Sequence, residues 1–531
     1  MTQATQATDT PQFRQSEGDL AENRPPREVN FQYFGLFIGL VLAALIYVFF
    51  PANAVELVEQ SVGADPETEY THHALRVTAA VTVLMGAWWM TEAIPLAATA
   101  LVPIIIFPLA QVAPISTVGA PYASATIFLF LGGFLLAMGL QRWDVHRRIA
   151  LMVVLAVGTS PKRLILGFMV ATGFMSMWVS NTATAVVMLP IGISVLKLTA
   201  DTVGGMHNQK KFATALMLAI AYAASIGSLG TLIGTPPNAL LAGYMETSHG
   251  ITIGFAQWML VGLPVAIIFT ALAWLVLITV FKPEMDEIPG GRALIKEEIA
   301  KLGPWTVPQI AVTLIFAAAA VAWIVVPLVL DALGTEFIYD DAVVGIIAGL
   351  LMYAIPGRKD GVKLLDWKTT NDGVPWDVLL LFGGGLALSG MFTKTGLSLW
   401  IGEVAKGLGN LPTVLLIFAV AALVLVLTEF TSNTATAATF LPIMGGVATG
   451  IGLTEGGNEH NVLLLTIPVA LAATCAFMMP VATPPNAIAY GSGYVKMGEM
   501  LKGGFWLNVI AVFLITATVY LIAIPVFGLV L

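Results

Sequence analysis

The sequence predicts an all-α polytopic membrane protein made of two inverted-topology repeats. Three observations carry that expectation: the apolar composition, the placement of the basic residues, and three motifs that each occur twice in the same order. Of 531 residues, 57% are hydrophobic and 11% are charged, whereas soluble domains carry about 25% charged residues. The mean hydropathy is +0.87. A large globular soluble protein is excluded by this balance. One cysteine, Cys475, lies in an apolar stretch, so the chain has neither a disulfide framework nor a cysteine-based metal site.

Residues 1–30 are polar and rich in Thr, Gln, Glu and Pro. They lack the basic start and apolar run of a secretory leader and are expected to form a disordered cytoplasmic tail. Beyond them, apolar stretches long enough to cross roughly 30 Å of hydrocarbon recur. Eleven crossings are expected, near residues 31–50, 74–90, 95–109, 123–140, 212–244, 255–281, 307–330, 342–355, 378–392, 462–490 and 504–530. This divides the chain into a first membrane half (31–281), a cytoplasmic linker (282–303) and a second half (304–531).

Direction follows from Lys and Arg, which concentrate on the cytoplasmic side. Arg142, Arg147, Arg148, Lys162 and Arg163 follow the fourth crossing, and Lys210 and Lys211 precede the fifth. Lys282, Arg292, Lys296 and Lys301 occupy the linker, and Arg358, Lys359, Lys363 and Lys368 follow the eighth crossing. Segments 56–69 and 331–341 hold acids and no Lys or Arg. With the basic loops inside, the N-terminus is cytoplasmic and the C-terminus outside. Two further apolar regions must then re-enter on the side they left: residues 150–198 from the cytoplasm and 411–450 from outside. A true crossing at either would put every later basic loop on the wrong face.

The repeat is explicit. FLFLGGFLLAMG starts at Phe128 and LLLFGGGLALSG at Leu379; MWVSNTATAVVMLP ends at Pro190 and TEFTSNTATAATFLP at Pro442; GTPPNAL starts at Gly234 and ATPPNAI at Ala482. The offsets are 251 (383 minus 132), 252 (432 minus 180) and 248 (483 minus 235). The charges place the second copy upside down, the arrangement in which secondary transporters build a midplane site at the repeat interface.

Ser180-Asn181-Thr182 and Ser432-Asn433-Thr434 fall in the middle of the re-entrant regions. These residue types compete for the backbone inside a helix and suit breaks and N-caps. A turn at membrane depth leaves backbone groups that survive only inside protein or beside a cavity. One limb then offers N–H groups to a carboxylate and the other offers carbonyls to a cation. Each box Thr-Pro-Pro-Asn, at 235–238 and 483–486, removes two N–H donors and must break its helix. The break frees preceding carbonyls, including those of Gly227, Gly230 and Ala482. Taken singly, the triplets could be helix-packing motifs and the boxes could be kinks; the doubled, ordered occurrence favours paired binding breaks.

Glu92, Asp144, Asp377 and Glu429 lie at span ends or breaks. Asp144 and Asp377 are expected to be interfacial; Glu429, three residues before Ser432, is expected to have a structural or supporting role, with cation neutralisation or proton uptake as the alternative, and the role of Glu92 is left open. The histidines fall in loops and ends, so no metal cluster is expected. No Lys or Arg occurs between Phe212 and Phe281 or between Gly407 and Tyr494. An anion held there must meet amides, hydroxyls and helix ends, with bound cations supplying the compensating charge that desolvation demands. No nucleophile–base pair, metal-ligand set or ATP-binding loop is present, which leaves little room for an enzyme or a primary pump, and no nucleic-acid partner is expected.

The SNTATA boxes at Ser180 and Ser432, the TPPNA boxes at Thr235 and Thr483, and WMTEAIPLAATALVP at 89–103 resemble the divalent anion/sodium symporter family, the sodium-dependent di- and tricarboxylate transporters. The resemblance spans about residues 31–531. It implies eleven helices with two re-entrant hairpins, a homodimer and an elevator motion in the lipid bilayer of a bacterial cytoplasmic membrane. It implies two or more Na⁺: one near Ser176, Ser180, Asn181 and the carbonyls of Gly227 and Gly230, another near Thr428, Thr431, Ser432, Asn433 and the carbonyl of Ala482. The carboxylates of a C4-dicarboxylate (succinate, malate or fumarate) would meet Asn181, Thr182, Asn433, Thr434, Thr483 and Pro484. Relatives that exchange dicarboxylates without sodium, or carry citrate or sulfate, keep those alternatives open.

Overall fold

Helix termini in this chain follow the prolines, glycines and small polar residues of the sequence. The computed structural model describes residues 26–62, 70–158, 160–203, 205–285, 287, 291–334, 340–358 and 360–531. Among these, a single bridge between Pro356 and Lys363 is the one β pairing; the regular elements are helices. The first half comprises α1 (Pro26–Phe49), α2 (Ala54–Val62), α3 (His72–Thr91), α4 (Val102–Leu109), α5 (Ala125–Arg142), α6 (Val145–Val157), α7 (Pro161–Ser176), α8 (Asn181–Val203), α9 (Lys210–Ser228), α10 (Pro236–His249) and α11 (Phe255–Val280). After α12 (Gly291–Lys301), the second half runs through α13 (Val307–Leu333), α14 (Asp341–Ala354), α15 (Trp376–Thr395), α16 (Leu397–Ala405), α17 (Thr413–Thr428), α18 (Asn433–Gly450), α19 (Leu463–Thr474), α20 (Pro484–Gly491) and α21 (Met497–Thr518).

Among the described residues, eight helices are long and apolar enough to cross a membrane, and five further apolar helices have 10–17 residues. The eleven expected stretches therefore do not correspond to eleven single long helices: the chain breaks at the two Thr-Pro-Pro-Asn boxes, where breaks were expected, and at one further place. Residues 212–244 divide into α9 and α10, residues 462–490 into α19 and α20, and residues 95–109 into a short turn and α4. Two boundaries also move. α1 begins at Pro26, so residues 26–30 are helix and not tail, a proline being pre-organised for a first helical turn. Residues 1–25 of the expected tail lie outside the described residues. The region 150–198 starts inside α6, and its helix–break–helix unit is α7 and α8. The region 411–450 becomes α17 and α18.

Burial separates centre from rim. In the Met206–Ser228 stretch 94% of the most apolar window is buried, against 11% in Gln32–Phe49 and 22% in Val307–Leu330. α1 and α13 accordingly show apolar outer faces, among them Phe37, Val48, Leu314 and Val321, which suit lipid and would be an aggregation hazard in water. The broken helices pack reciprocally: α10 against α18 and α19, α20 against α8 and α9. Each half thereby lodges its Pro-Pro helix among the broken helices of the other.

Two glycine contacts set how closely the core helices approach. A Cβ on Gly227 would overlap the backbone of Gly173, where α9 crosses α7. A Cβ on Gly132 would overlap the backbone of Gly345, where α5 crosses α14. Small residues at such crossings are a recurrent device of membrane helices. An aromatic ladder joins the α7–α8 break to α13: Trp178 stacks on Phe255 at 6.0 Å and Phe255 on Trp323 at 4.5 Å. Trp178 also meets Phe316 edge-on at 4.8 Å. On the basic side, α12 is tied to α6 by Arg147 with Glu298 at 3.1 Å. Arg148 adds hydrogen bonds to the carbonyls of Leu302 and Gly303 at 2.8 Å each.

Gly132→Val is expected to destabilise the detergent-solubilised protein by about 1–3 kcal/mol through overpacking. A lowered thermal unfolding midpoint is the readout; an unchanged midpoint would refute the close crossing.

Candidate functional site

Two helix breaks share the same design. α7 stops at Ser176, Met177 to Ser180 leave the helix, and α8 begins at Asn181. Ser180 Oγ accepts the Ala183 N–H at 3.3 Å, an N-cap contact. Ser176 Oγ donates to Asn181 Oδ1 at 2.7 Å, and Asn181 Nδ2 donates to Ser228 Oγ at 3.4 Å. In the second copy, α17 stops at Thr428 and α18 begins at Asn433. Thr428 Oγ1 lies 2.8 Å from Asn433 Oδ1 and 2.7 Å from the Ala473 carbonyl. A hydroxyl has one proton, so it serves these two acceptors alternately.

The Pro-Pro boxes make the other pair of breaks. Pro236-Pro237 and Pro484-Pro485 occupy the first turn of α10 and α20, where a missing N–H costs nothing. Thr483 caps α20 by accepting the Asn486 N–H at 3.3 Å. The asparagine closing each box is fully buried. Asn238 Nδ2 donates to the Thr231 carbonyl at 2.9 Å, and Asn486 Nδ2 to those of Ala476 and Met479 at 3.0 and 3.1 Å. These two amides hold the unwound strands 229–235 and 475–483. They stood inside the motif and were missed as site residues; their fixed place after two prolines was the available signal.

Glu429 breaks the symmetry. At the repeat offset of 252 its counterpart is Met177. Its carboxylate is buried at 3% exposure. It accepts the N–H groups of Phe477 at 2.7 Å, Met478 at 3.0 Å and Met479 at 3.0 Å, and the Asn508 amide at 2.6 Å. It therefore supports the 475–483 strand from behind. The other acids lie elsewhere: Glu92 and Asp144 have positive φ just outside helices, and Asp377 sits in the first turn of α15, where a negative charge suits the helix dipole. Among the described residues there is no group of three or more His, Cys, Asp or Glu able to hold a metal.

The remaining candidates fall as follows. Ser176, Gly227 and Gly230 are buried, Asn181 is half-buried, and Ser180 and Thr182 are exposed. Met177 packs on Gly230, and Gly227 lies on Gly173, which brings the first group together. The Gly227 carbonyl accepts the Gly230 N–H at 3.0 Å, so its second lone pair is what a cation would use. In the second copy Thr434, Thr483 and Ala482 are buried, Thr431, Ser432 and Asn433 half-buried, and Pro484 exposed. The Thr431 hydroxyl is engaged within its own segment, with the Leu427 carbonyl at 2.9 Å and Thr436 at 2.6 Å. Thr428, Asn433 and the Ala473 carbonyl form the compact cluster; Ala482 lies further along the strand, its N–H on the Met479 carbonyl at 3.3 Å. The halves touch where Thr235 Oγ1 and Thr474 Oγ1 stand 3.5 Å apart.

This arrangement can be set beside known proteins. A sodium-dependent dicarboxylate transporter SdcS from Staphylococcus saprophyticus is 40% identical over 455 residues, 85% of this chain and 86% of that protein. The SdcS of Staphylococcus aureus USA300 is 41% identical over 447 residues, 83% of this chain and 84% of that protein. Among solved structures, the Alcanivorax borkumensis YdaH transporter superposes with a TM-score of 0.52 at 15% identity, covering 86% of this chain and 99% of that one; this is a likeness of fold alone. The family profile described as the sodium:sulfate symporter transmembrane region matches residues 51–529. The chain belongs to that family, the divalent anion/sodium symporters, as its doubled SNT and TPPN boxes indicate.

Proposed function

We propose that this protein couples inward Na⁺ movement to uptake of C4-dicarboxylates such as succinate, malate and fumarate across a bacterial cytoplasmic membrane. The observation that carries the proposal is the pair of helix breaks, each with an asparagine amide bonded to a hydroxyl, in stretches without Lys or Arg. The two SdcS relatives, sodium-dependent dicarboxylate transporters, support the same cargo and ion.

In this reading one Na⁺ binds near Ser176, Ser180, Asn181 and the Gly227 and Gly230 carbonyls. A second binds near Thr428, Thr431, Ser432, Asn433 and Ala482, with the Ala473 carbonyl added as a neighbour of Thr428. Oxygen ligands of this kind suit a hard cation. The carboxylates meet Asn181, Thr182, Asn433 and Thr434 at the N-termini of α8 and α18, where free N–H groups and the helix dipole favour negative charge. They meet Thr483 and Pro484 at the start of α20, where the prolines leave the helix dipole and the Thr483 hydroxyl as the contacts. Two cations offset the dianion, so neither binds well alone, and the coupling is reciprocal. The chain forms eleven crossings once broken helices are joined, with α7–α8 and α17–α18 as re-entrant hairpins of two inverted repeats. The N-terminus is inside and the C-terminus outside. The domain carrying both hairpins moves as an elevator within a homodimer. A citrate or sulfate cargo is the second reading, because the family description names sulfate. Sodium-independent exchange is its companion.

Radiolabelled succinate in proteoliposomes is expected to accumulate under an inward Na⁺ gradient and not under K⁺ or choline. Uptake that ignores Na⁺ and needs internal dicarboxylate would make the protein an exchanger. Competition by sulfate or citrate, with none by malate, would reassign the cargo.

Asn181→Ala and Asn433→Ala should each raise the Na⁺ concentration for half-maximal uptake by roughly 10- to 100-fold, the scale on which one polar contact to a charged group is lost. Unchanged Na⁺ dependence in both would remove these amides from the site.

Glu429→Gln places an NH₂ among backbone donors and should lower stability by about 1.5–3 kcal/mol. A melting midpoint equal to the parent's would show that the carboxylate is dispensable to the 475–483 strand.

A further inference from the structure

A polar cavity lined by none of the SNT or TPPN residues lies on the face that the basic loops assign to the cytoplasm. Of about 480 Å³, it opens where the end of α5, the start of α13 and the loop after α14 meet. Arg142, Trp143, Asp144, Thr306, Gln309 and Arg358 line it. Its walls are fixed by hydrogen bonds between the three segments. Trp143 Nε1 donates to the Leu364 carbonyl at 2.8 Å, Gln309 Nε2 donates to the Trp143 carbonyl at 2.9 Å, and Gly357 N–H donates to the Val362 carbonyl at 2.7 Å.

The charges in the cavity are unequal. Arg142 is ion-paired with Asp366 and donates to Thr369 Oγ1 at 2.9 Å. Arg358 lies over the Trp143 ring at 5.5 Å, a contact that uses its face and leaves its in-plane N–H fork for an oxyanion. The N-terminus of α13 adds a positive helix end. Asp144 is the one acid in the lining.

The level of the cavity identifies the kind of anion. Trp305, Trp367 and Trp376 are exposed at 40%, 66% and 37% on the adjoining segments, the aromatic belt of a membrane–water boundary. Arg148 holds the indole of Trp305 at 5.1 Å. From the mouth inward, α13 exposes Ile310 and Leu314, while α14, which ends beside it, exposes Ile347 and Leu350. A polar socket beside exposed indoles, with exposed apolar residues on the two helices that border it, matches a headgroup with its acyl chains. A soluble anion would have no use for those apolar residues.

We propose that this cavity binds the headgroup phosphate of an anionic phospholipid of the cytoplasmic leaflet, with Arg358 as the principal contact and the acyl chains on α13 and α14. The inference requires a membrane-embedded chain and is independent of the transported solute.

The test is native mass spectrometry of the purified full-length protein titrated with phosphatidylglycerol or chain-matched phosphatidylcholine. The parent should retain phosphatidylglycerol preferentially. Arg358→Ala should weaken that binding about fivefold, the effect of one basic residue near a membrane surface. Arg358→Lys should recover most of it, and Lys394→Ala, at the opposite end of α15, should change nothing. Equal retention of the two lipids by the parent, or parent-like binding by Arg358→Ala, would overturn the proposal. Arg358-dependent thermal protection by inorganic phosphate in lipid-free detergent would assign a soluble anion instead. Loss of an oligomer in Arg358→Ala with lipid binding intact would make this face a subunit contact. Either of those outcomes also overturns the lipid.

Discussion

Backbone groups released inside an apolar medium must find partners, and the centre of this structure is organised around that requirement. An unsatisfied N–H or carbonyl in hydrocarbon costs several kcal/mol. The chain interrupts four helices close together, after Ser176, Ser228, Thr428 and Thr474. It satisfies the interruptions with a small set of side chains: Asn238 and Asn486 for carbonyls, Ser180 and Thr483 for N–H groups, and Glu429 for three successive N–H groups. The close crossing of α7 and α9 at Gly173 and Gly227 depends on the same economy, since it brings protein backbone where lipid would otherwise lie.

The two halves solve this problem differently. In the second, a buried carboxylate gathers the N–H groups of residues 477–479. In the first, Met177 packs on Gly230, while the Thr231 hydroxyl donates to the Met177 carbonyl at 2.5 Å and the Trp258 indole to the Leu229 carbonyl at 3.1 Å. The first strand is thus held through its carbonyls and hydroxyl, while the second has its carbonyls held by Asn486 and, in addition, its N–H groups gathered by the Glu429 carboxyl group. If the two proposed cation sites are built on these supports, their surroundings differ even with matching ligand types, and equal affinities are not to be expected.

Much of this was legible in the residues because membrane folding leaves few options. Apolar length marked the helices, and Pro-Pro at 236 and 484 marked breaks that the structure places at the starts of α10 and α20. The triplets at 180 and 432 marked the starts of α8 and α18. Other features were not legible. Hydropathy averages across a break, so the division of 95–109, which no Pro-Pro pair marks, was not read. The role of Asn238 and Asn486 needed the three-dimensional course of the strand before them, and the four donors on Glu429 come from residues 48 to 79 positions away. The pairing of Arg358 with Trp143 likewise spans two halves that only folding brings together.

The aromatic ladder from Trp178 through Phe255 to Trp323 has an optical consequence. Trp178 stands two residues from Ser180 yet rests on Phe316 of the peripheral helix α13. Any sliding of the α7–α8 break past α13 must change the packing around this indole and with it the emission of a native fluorophore. Trp178 is one of twelve tryptophans, so a variant retaining it as the sole indole would carry a built-in displacement gauge at the edge of the site, without an attached dye.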